Sequence, residues 1–295
     1  MKLGQFSDLT IADFNDYLDQ VYQNNYSNKN LVYSMRYSLA NGGKRIRPLM
    51  VLATLKAFQG PVDQGMAAAA ALESIHTYSL IHDDLPAMDD DDYRRGQLSN
   101  HKAFDEATAI LAGDALLTHA FYIISNDDRV DSDTKKLALV SRLSETAGML
   151  GMVGGQINDI LGEGLELNLE ELQAIHDKKT AALMRFALEA AAIILDLSAD
   201  IRSELSHFAS HFGLAYQIHN DLQEVLWTDE QRGKQAASDE SHEKNTYPAL
   251  LSTQGAKDSL QAEIDTCQAS LARIKEYNAD FDSDLMAGFL DYLSL

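Results

Sequence analysis

Six aspartates fall within the ten residues from Asp83 to Asp92, and Arg94 and Arg95 follow at once. Carboxylates this dense repel one another, so they are tolerable only in open solvent or around a multivalent cation. A hard cation such as Mg²⁺ takes oxygen ligands, typically one or two carboxylates completed by water and substrate phosphate oxygens. The two guanidinium groups add planar forks suited to phosphate oxygens. A bare acidic run is also what a solvated loop looks like. Here the preceding ALESIHTYSL is a mixed apolar run, which places the acids at the end of a buried helix rather than on a hydrophilic tail.

Other stretches carry residues of matching chemistry. In NGGKRIRPLM, residues 41–50, Gly42 and Gly43 permit a tight turn and Pro48 suits the first turn of a helix. Lys44, Arg45 and Arg47 then gather at a helix N-terminus, where the backbone N–H groups already favour an anion; a solvated turn is the alternative. YQIHNDLQEVLW, residues 216–227, holds a second acidic cluster of Asn220, Asp221 and Glu224, with Asn220 and Glu224 on one helix face. Lys178, Lys179 and Thr180 interrupt an apolar helical stretch, where a lysine either snorkels outward or faces a polar cavity. Gln156 and Asp159 share a face and could orient a ligand or form a core pair. Asp114 lies among apolar neighbours and needs a partner.

The elements that position these residues read as helices. Four prolines interrupt 295 residues, and Ala, Leu, Glu and Lys recur at helical spacing over long windows. Helices are expected over residues 8–25, 64–85 (carrying the acids), 102–125, 133–161 as one helix or a broken pair, 165–195 and 203–226. Two or three more, with no chemistry in them, are expected from Pro248 to the end. No linker or repeat divides the chain, so an all-α fold in one domain, residues 1–295, follows. A formal net charge of −21 excludes general nucleic-acid binding and attraction to anionic lipid, and an anionic substrate requires a local basic lining or metal ions. The single cysteine, Cys267, precludes an intramolecular disulfide and fits a reducing compartment. With no run of about 18 apolar residues and no apolar leader, a cytoplasmic protein without stable membrane anchoring is expected.

The acidic stretch, the GGKRIRP turn, GGQINDI, KKT, YQIHNDLQE and GKxxxSDxxxxKxTYP occur in that combination along almost the entire chain. In this the sequence resembles the trans-prenyltransferases of the polyprenyl diphosphate synthase family, and within it the bacterial branch that forms farnesyl diphosphate. The resemblance implies the isoprenoid synthase helix bundle with a deep central cavity, a homodimer, and two or three Mg²⁺ ions. It implies an enzyme that condenses dimethylallyl or geranyl diphosphate with isopentenyl diphosphate. The allylic diphosphate leaves as pyrophosphate, the isopentenyl double bond attacks the carbocation, and a proton is lost. Stabilising the leaving charge is electrostatic work. At an effective dielectric near 20, unit charges about 4 Å apart interact by roughly 4 kcal/mol, so several contacts could supply a large part of the barrier reduction.

By the same resemblance, Asp83 and Asp89 bind Mg²⁺ with Asp84 in support. On a straight helix six residues turn about 240°, so Asp83 and Asp89 converge only if Pro86 distorts the last turn. Gly43, Lys44, Arg47, His76 and Arg95 are expected at isopentenyl diphosphate, and Arg94 at the allylic diphosphate. Lys179, Thr180 and Gln217 would face the developing cation, with Tyr216 beside the substrate and Lys179 and Lys234 available to the leaving diphosphate. The released pyrophosphate is expected to take the final proton. Tyr78, an aromatic five residues before the first aspartate, together with the two-residue insertion within Leu85 to Met88, matches the farnesyl-forming pattern and would close the floor under the growing tail.

Two departures stand out. The family's second acidic motif, DDxxD after Phe-Gln, reads Asn220-Asp221-Leu222-Gln223-Glu224 after Tyr216-Gln217, so a third Mg²⁺ would meet one charge fewer. The expected Gly-Ser-Asp is Ala237-Ser238-Asp239. The alternatives are a geranylgeranyl diphosphate synthase, or a weakly active or non-catalytic partner subunit. A class I terpene cyclase would need Ser or Thr at 224 and Glu at 228, where the chain has Glu224 and Thr228. A His-Asp phosphohydrolase built on His82-Asp83 leaves the basic turn and the arginine pair unexplained.

Overall fold

The computed structural model describes residues 1–23, 28–227 and 245–295, and the architecture is all-α apart from one short hairpin. Thr228, Gly233-Lys234 and Ala237-Ser238-Asp239 lie outside the described residues. The helices are α1 (Leu3–Val21), α2 (Lys29–Ala40), α3 (Ile46–Ala57), α4 (Met66–Asp83), the short α5 (Asn100–Ala103), α6 (Glu106–Ser125), α7 (Asp133–Ala147), α8 (Met152–Gly162) and α9 (Leu169–His176). After a π turn at Asp177–Ala181 come α10 (Ala182–Ile194), α11 (Ala199–Leu226), α12 (Tyr247–Tyr277) and α13 (Ser283–Ala287), then a closing 3₁₀ turn, Gly288–Leu293.

α4 lies at the centre because its sequence lets it. Ala67 to Leu72 are all buried, and these small side chains allow α3, α6 and α10 to pack on it together. Gly113 of α6 sits directly against the ring of His82, with no room for a Cβ, so α6 can lie close against the acidic end of α4. One connected core of buried side chains runs from Leu3 to Leu293.

Asp114, expected to need a partner, has one in His82, whose Nε2 lies 3.9 Å from its carboxylate, although the Asp114 side chain is 58% exposed. The expected helix at 133–161 is a broken pair. Its break falls at Gly148–Gly151, where a side chain on Gly151 would collide with the Thr146 carbonyl. α2 was not anticipated. Nor was the two-stranded hairpin β1 (Tyr93–Arg94) and β2 (Gln97–Leu98), which pairs Tyr93 with Leu98 and Arg94 with Gln97. Its two-residue turn, Arg95-Gly96, has φ of 54° and 79°, the left-handed pair a tight hairpin requires.

α6 is, among the described residues, the one helix long and apolar enough to cross a membrane by length and composition. Its buried face, including Ala109, Ala112 and Leu116, packs on α4, while Ile110, Leu111 and Tyr122 remain exposed.

Arg45, the N-cap of α3, donates to Glu73 of α4 and to the Leu39 carbonyl, and both charged side chains are buried. Breaking a buried pair leaves an uncompensated charge, which costs about 3–5 kcal/mol. Glu73→Ala is therefore expected to lose about 3 kcal/mol or more in denaturant unfolding. A loss within about 0.5 kcal/mol, the range of ordinary surface substitutions, would remove Arg45 and Glu73 from the structural scaffold.

Candidate active site

The acids do not converge by a distorted last turn. α4 stops at Asp83, ahead of Pro86, and the chain folds back so that the Asp89 N–H donates to the Asp83 carbonyl at 2.9 Å. Pro86 lies in the returning segment, which is tied by Met88 N–H to Leu85 O at 2.9 Å and by Asp90 N–H to Leu85 O at 3.2 Å. Asp90 takes a left-handed φ of 51° in this turn. Burial pushes the Asp83 carboxyl up to about 6; Lys179 opposes that shift and the nearby Asp89 adds to it. Asp84 is 2% exposed, and its Oδ1 is held by Arg94 through Nε at 2.8 Å and through Nη2. Arg94 also bonds Asp91 at 3.3 Å. Of the three aspartates expected at metal, Asp84 thus anchors the hairpin, while the charges of Asp83 and Asp89 act on Lys179.

The hairpin separates the two arginines. Arg94 turns toward the acids, whereas Arg95 crosses to the glycine turn, its Nη1 donating to Gly42 O at 2.5 Å. A Cβ on Gly43, whose φ is +111°, would lie 2.5 Å from Arg95 Nη1, so this glycine keeps the guanidinium in place. Arg47 and the half-buried His76 meet at 3.5 Å, and Arg47 Nε is buried with no hydrogen-bond partner among the described residues. Burial, and then the charges of Arg47, Arg95, Arg94 and Arg45, hold His76 well below the ordinary histidine range. It is therefore a neutral ring inside a cationic wall. Tyr216 of α11 reaches the same wall, where its charge would act on both Arg47 and Arg95. Lys44 points instead toward Tyr292, with Nζ 5.7 Å from the ring centre. Arg45, committed to Glu73, is not part of the wall's free surface.

Lys179 occupies the π turn, a geometry that recurs at functional sites. The turn is wedged between two glycines: Gly155 of α8 abuts the Lys179 backbone, and a Cβ on Gly213 of α11 would lie 2.5 Å from Ala181 Cβ. Lys179 Nζ donates to Asp159 at 2.5 Å, and its pKa is raised by Asp159, Asp83 and Asp89 against the opposing cost of burial. Asp159 is thus the partner of Lys179, and Gln156 beside it is half-buried. Thr180, the next residue, is buried.

On α11, Gln217 Oε1 accepts from Asn220 Nδ2 at 3.3 Å. Asp221 Oδ2 accepts the Tyr247 N–H at 2.9 Å, capping the start of α12. Burial pushes Asp221 up to about 7, with that hydrogen bond opposing and the charges of Glu224 and Asp159 adding. The charge of Asp159 therefore acts on Lys179 and on Asp221 alike. Among the described residues no three acidic, histidine or cysteine side chains form a ready-made metal cage. Mg²⁺ does not need one, since it keeps waters and takes substrate phosphates beside one or two carboxylates. Asp83 and Asp89 fit that donor set.

Sequence reasoning named Asp159 without its partner and passed over Glu73 and Asp91. Each is joined to a basic residue far along the chain or across a turn, and no spacing rule connects them.

The Polyprenyl synthetase family model matches residues 28–279. The chain is 48% identical over 255 residues to a farnesyl diphosphate synthase of Geobacillus stearothermophilus, covering 86% of this chain and 84% of that protein. Its fold is similar to the apo crystal structure of a Zymomonas mobilis FPP/GFPP synthase, with a TM-score of 0.84 and 34% identity over 99% of this chain and 95% of that one. It is also similar to a Helicobacter pylori geranyltransferase solved with magnesium and isoprenyl diphosphate, with a TM-score of 0.82, 29% identity and 96% of each chain covered.

Proposed function

Because the chain belongs to the polyprenyl synthetase family, we propose that it condenses an allylic diphosphate with isopentenyl diphosphate to give farnesyl diphosphate. The observation that carries this reading is the pairing of an arginine-lined wall, in which Arg47 Nε is buried and unbonded, with carboxylates gathered around Lys179. Such a site lacks only anions on one side and cations on the other. The experiment is purified protein with labelled isopentenyl diphosphate, Mg²⁺ and dimethylallyl, geranyl or farnesyl diphosphate in turn. Fifteen-carbon product from the first two primers is expected. Turnover of farnesyl diphosphate would point to a longer-chain synthase, and no turnover at all to a partner subunit.

In this reading Arg47, Arg95 and the neutral His76 hold isopentenyl diphosphate beside Gly43, and Lys44 joins them by swinging off Tyr292. Arg94, released from Asp91 while keeping Asp84, offers its fork to the allylic diphosphate, and Tyr216 orders the substrates between the two sides. Mg²⁺ held by Asp83 and Asp89 would supply electrophilic charge to the diphosphate oxygens. Lys179 and, from outside the described residues, Lys234 add cationic charge as the allylic C–O bond breaks. Thr180 and Gln217 present oxygen dipoles to the carbocation. The isopentenyl double bond then forms the new C–C bond, and the proton lost goes to the departing pyrophosphate.

The altered second motif gives a separate test. If Asn220 lies at a third Mg²⁺ site, the missing charge weakens it, because affinity follows the charge of the ligands. Asn220→Asp is expected to reach half-maximal activity at a several-fold lower Mg²⁺ concentration. An unchanged titration would transfer that role to Asp221 or Glu224.

The continuous core from Leu3 to Leu293 supports one domain over residues 1–295. The exposed Ile110, Leu111 and Tyr122 of α6 support pairing with a second copy, which sedimentation or light scattering would test. The single cysteine, Cys267, free and buried, supports a cytoplasmic protein.

A further inference from the structure

His207 and His211 stand one helical turn apart on α11, about nine residues and roughly 14 Å of helix away from Asn220. Their rings are 4.2 Å apart between centroids, and their Nε2 atoms are 3.0 Å from each other. The opposite nitrogens are both held by α12: His211 Nδ1 lies 2.5 Å from Glu263 Oε2, and His207 Nδ1 lies 2.9 Å from Ser270 Oγ. An ionised carboxylate only accepts, so the proton of neutral His211 sits on Nδ1 and its Nε2 is a bare lone pair. When Ser270 Oγ accepts from His207, as it does from Arg273 Nη2 at 3.2 Å, His207 Nε2 is bare too. Two lone pairs then face each other, and a cation between them relieves the clash. Metal-ligating histidines are typically oriented in this way, the far N–H given to an oxygen acceptor.

We propose that His207 and His211 form a chelating site for a divalent transition metal of the Cu²⁺, Ni²⁺ and Zn²⁺ class, with water completing the coordination. Bonds of about 2.05 Å to two nitrogens 3.0 Å apart subtend about 94° at the ion. That is the cis angle of the square-planar or tetragonal sites of Cu²⁺ and Ni²⁺; tetrahedral Zn²⁺ needs the nitrogens about 0.3 Å further apart. The charged groups around the pair are Glu204, ion-paired to Arg273 at 2.7 Å, and Glu263, with Glu189 and Arg202, of opposite charge, lining the adjoining cavity. Their sum is one negative charge, which favours a cation. Burial, followed by the neighbouring His211, lowers the His207 pKa and so keeps that ring neutral and able to ligate. His207 also lines an open cavity of about 610 Å³ with Ser203, Ser206 and Ser210, which gives metal and water a way in. The sequence shows this site only as the i, i+4 spacing in HFASH; the acceptors that orient the rings come from another helix.

The test uses untagged full-length protein with Cu²⁺ and Ni²⁺ as probes, in millimolar Mg²⁺ so that oxygen-ligand sites are filled. One Cu²⁺ per chain is expected, with nitrogen hyperfine structure from two imidazoles in its electron paramagnetic resonance spectrum. His207→Ala and His211→Ala should each weaken binding at least tenfold. Glu263→Gln, which keeps both ligands and removes the carboxylate that orients His211, should weaken it by a smaller factor. Prenyl transfer by the two histidine variants in Mg²⁺ should be unchanged, and circular dichroism should show that they fold. Equal affinity in wild type and both histidine variants would overturn the proposal. So would a pair that takes up only a proton, seen as an absence of bound Cu²⁺ at neutral pH.

Discussion

Asp83→Ala is expected to lower turnover about a hundredfold or more with helix content unchanged, a loss of the size that follows removal of one preorganised electrostatic group from a transition state. Asp83 is the last helical residue of α4, and its carbonyl holds the returning chain through Asp89, so the substitution removes the carboxylate and leaves the turn. The measurement is prenyl transfer with labelled isopentenyl diphosphate and geranyl diphosphate across a Mg²⁺ titration. Near-normal turnover at saturating Mg²⁺ would mean that metal is held elsewhere. A companion measurement separates function from folding. Burial raises the folded-state pKa of Asp83 from 3.8 to about 6. The folded state therefore binds more protons than the unfolded chain, and stability falls as pH rises from about 4 through 6. Above that window the ionised Asp83 is a net cost. In metal-free buffer at pH 7, Asp83→Asn should accordingly melt no lower than wild type while being as inactive as the alanine variant. A variant that melted well below wild type would show Asp83 to be a structural residue.

Tyr78→Ala is expected to lengthen the product from fifteen carbons to twenty or more. Tyr78 is 5% exposed and lies five residues before Asp83, about 7.5 Å along the helix. Its ring meets that of His82 edge-on at 5.6 Å. Burial, and then the charge of Asp83, push its hydroxyl up to about 12. Ser79, the small residue on the nearer face, bonds back to the His76 carbonyl at 2.9 Å and blocks nothing. Chromatography of dephosphorylated products, with dimethylallyl and geranyl diphosphate as primers, decides the point. Removing a large buried ring costs about 3–5 kcal/mol, so the assay belongs well below the variant's melting temperature. A variant that loses stability yet still stops at fifteen carbons would make Tyr78 a packing residue and move the floor elsewhere.

What was legible in the sequence was the kind of chemistry; what was hidden was how side chains share it. The run from Asp83 to Arg95 announces cations and phosphates, but not that Asp84 is consumed by Arg94, because that pairing depends on a hairpin whose turn has two left-handed residues and no periodic signal. Lys44, Arg45 and Arg47 read as one basic cluster. In the fold they divide three ways, toward Tyr292, Glu73 and His76, since Lys44 precedes α3, Arg45 takes a left-handed φ of 48° at its N-cap and only Arg47 lies in the helix. α2 escaped notice because NLVYSMRYSLA mixes serine, arginine and tyrosine into its apolar positions, and tertiary packing supplies the helix that propensity leaves weak. The apolar stretch from 165 to 195 reads as one helix, and it is continuous from Leu169 to Ile194; the change of winding at its centre leaves no mark in composition.

That change of winding governs what edits the chain tolerates. The turn at Asp177–Ala181 holds one residue more than an α-turn, which shifts everything beyond it by about 100° relative to α9. Deleting a single residue there would give a more regular helix and better local hydrogen bonds. It would also rotate either Lys179 away from Asp159 or the buried face of α10, with Leu183, Phe186 and Ala187, away from its neighbours. An insertion fails for the same reason in the opposite sense, and Gly155 and Gly213 leave no slack to absorb either. Length at this point is therefore fixed more tightly than residue identity, and homologous chains should align across it without gaps even where their side chains differ.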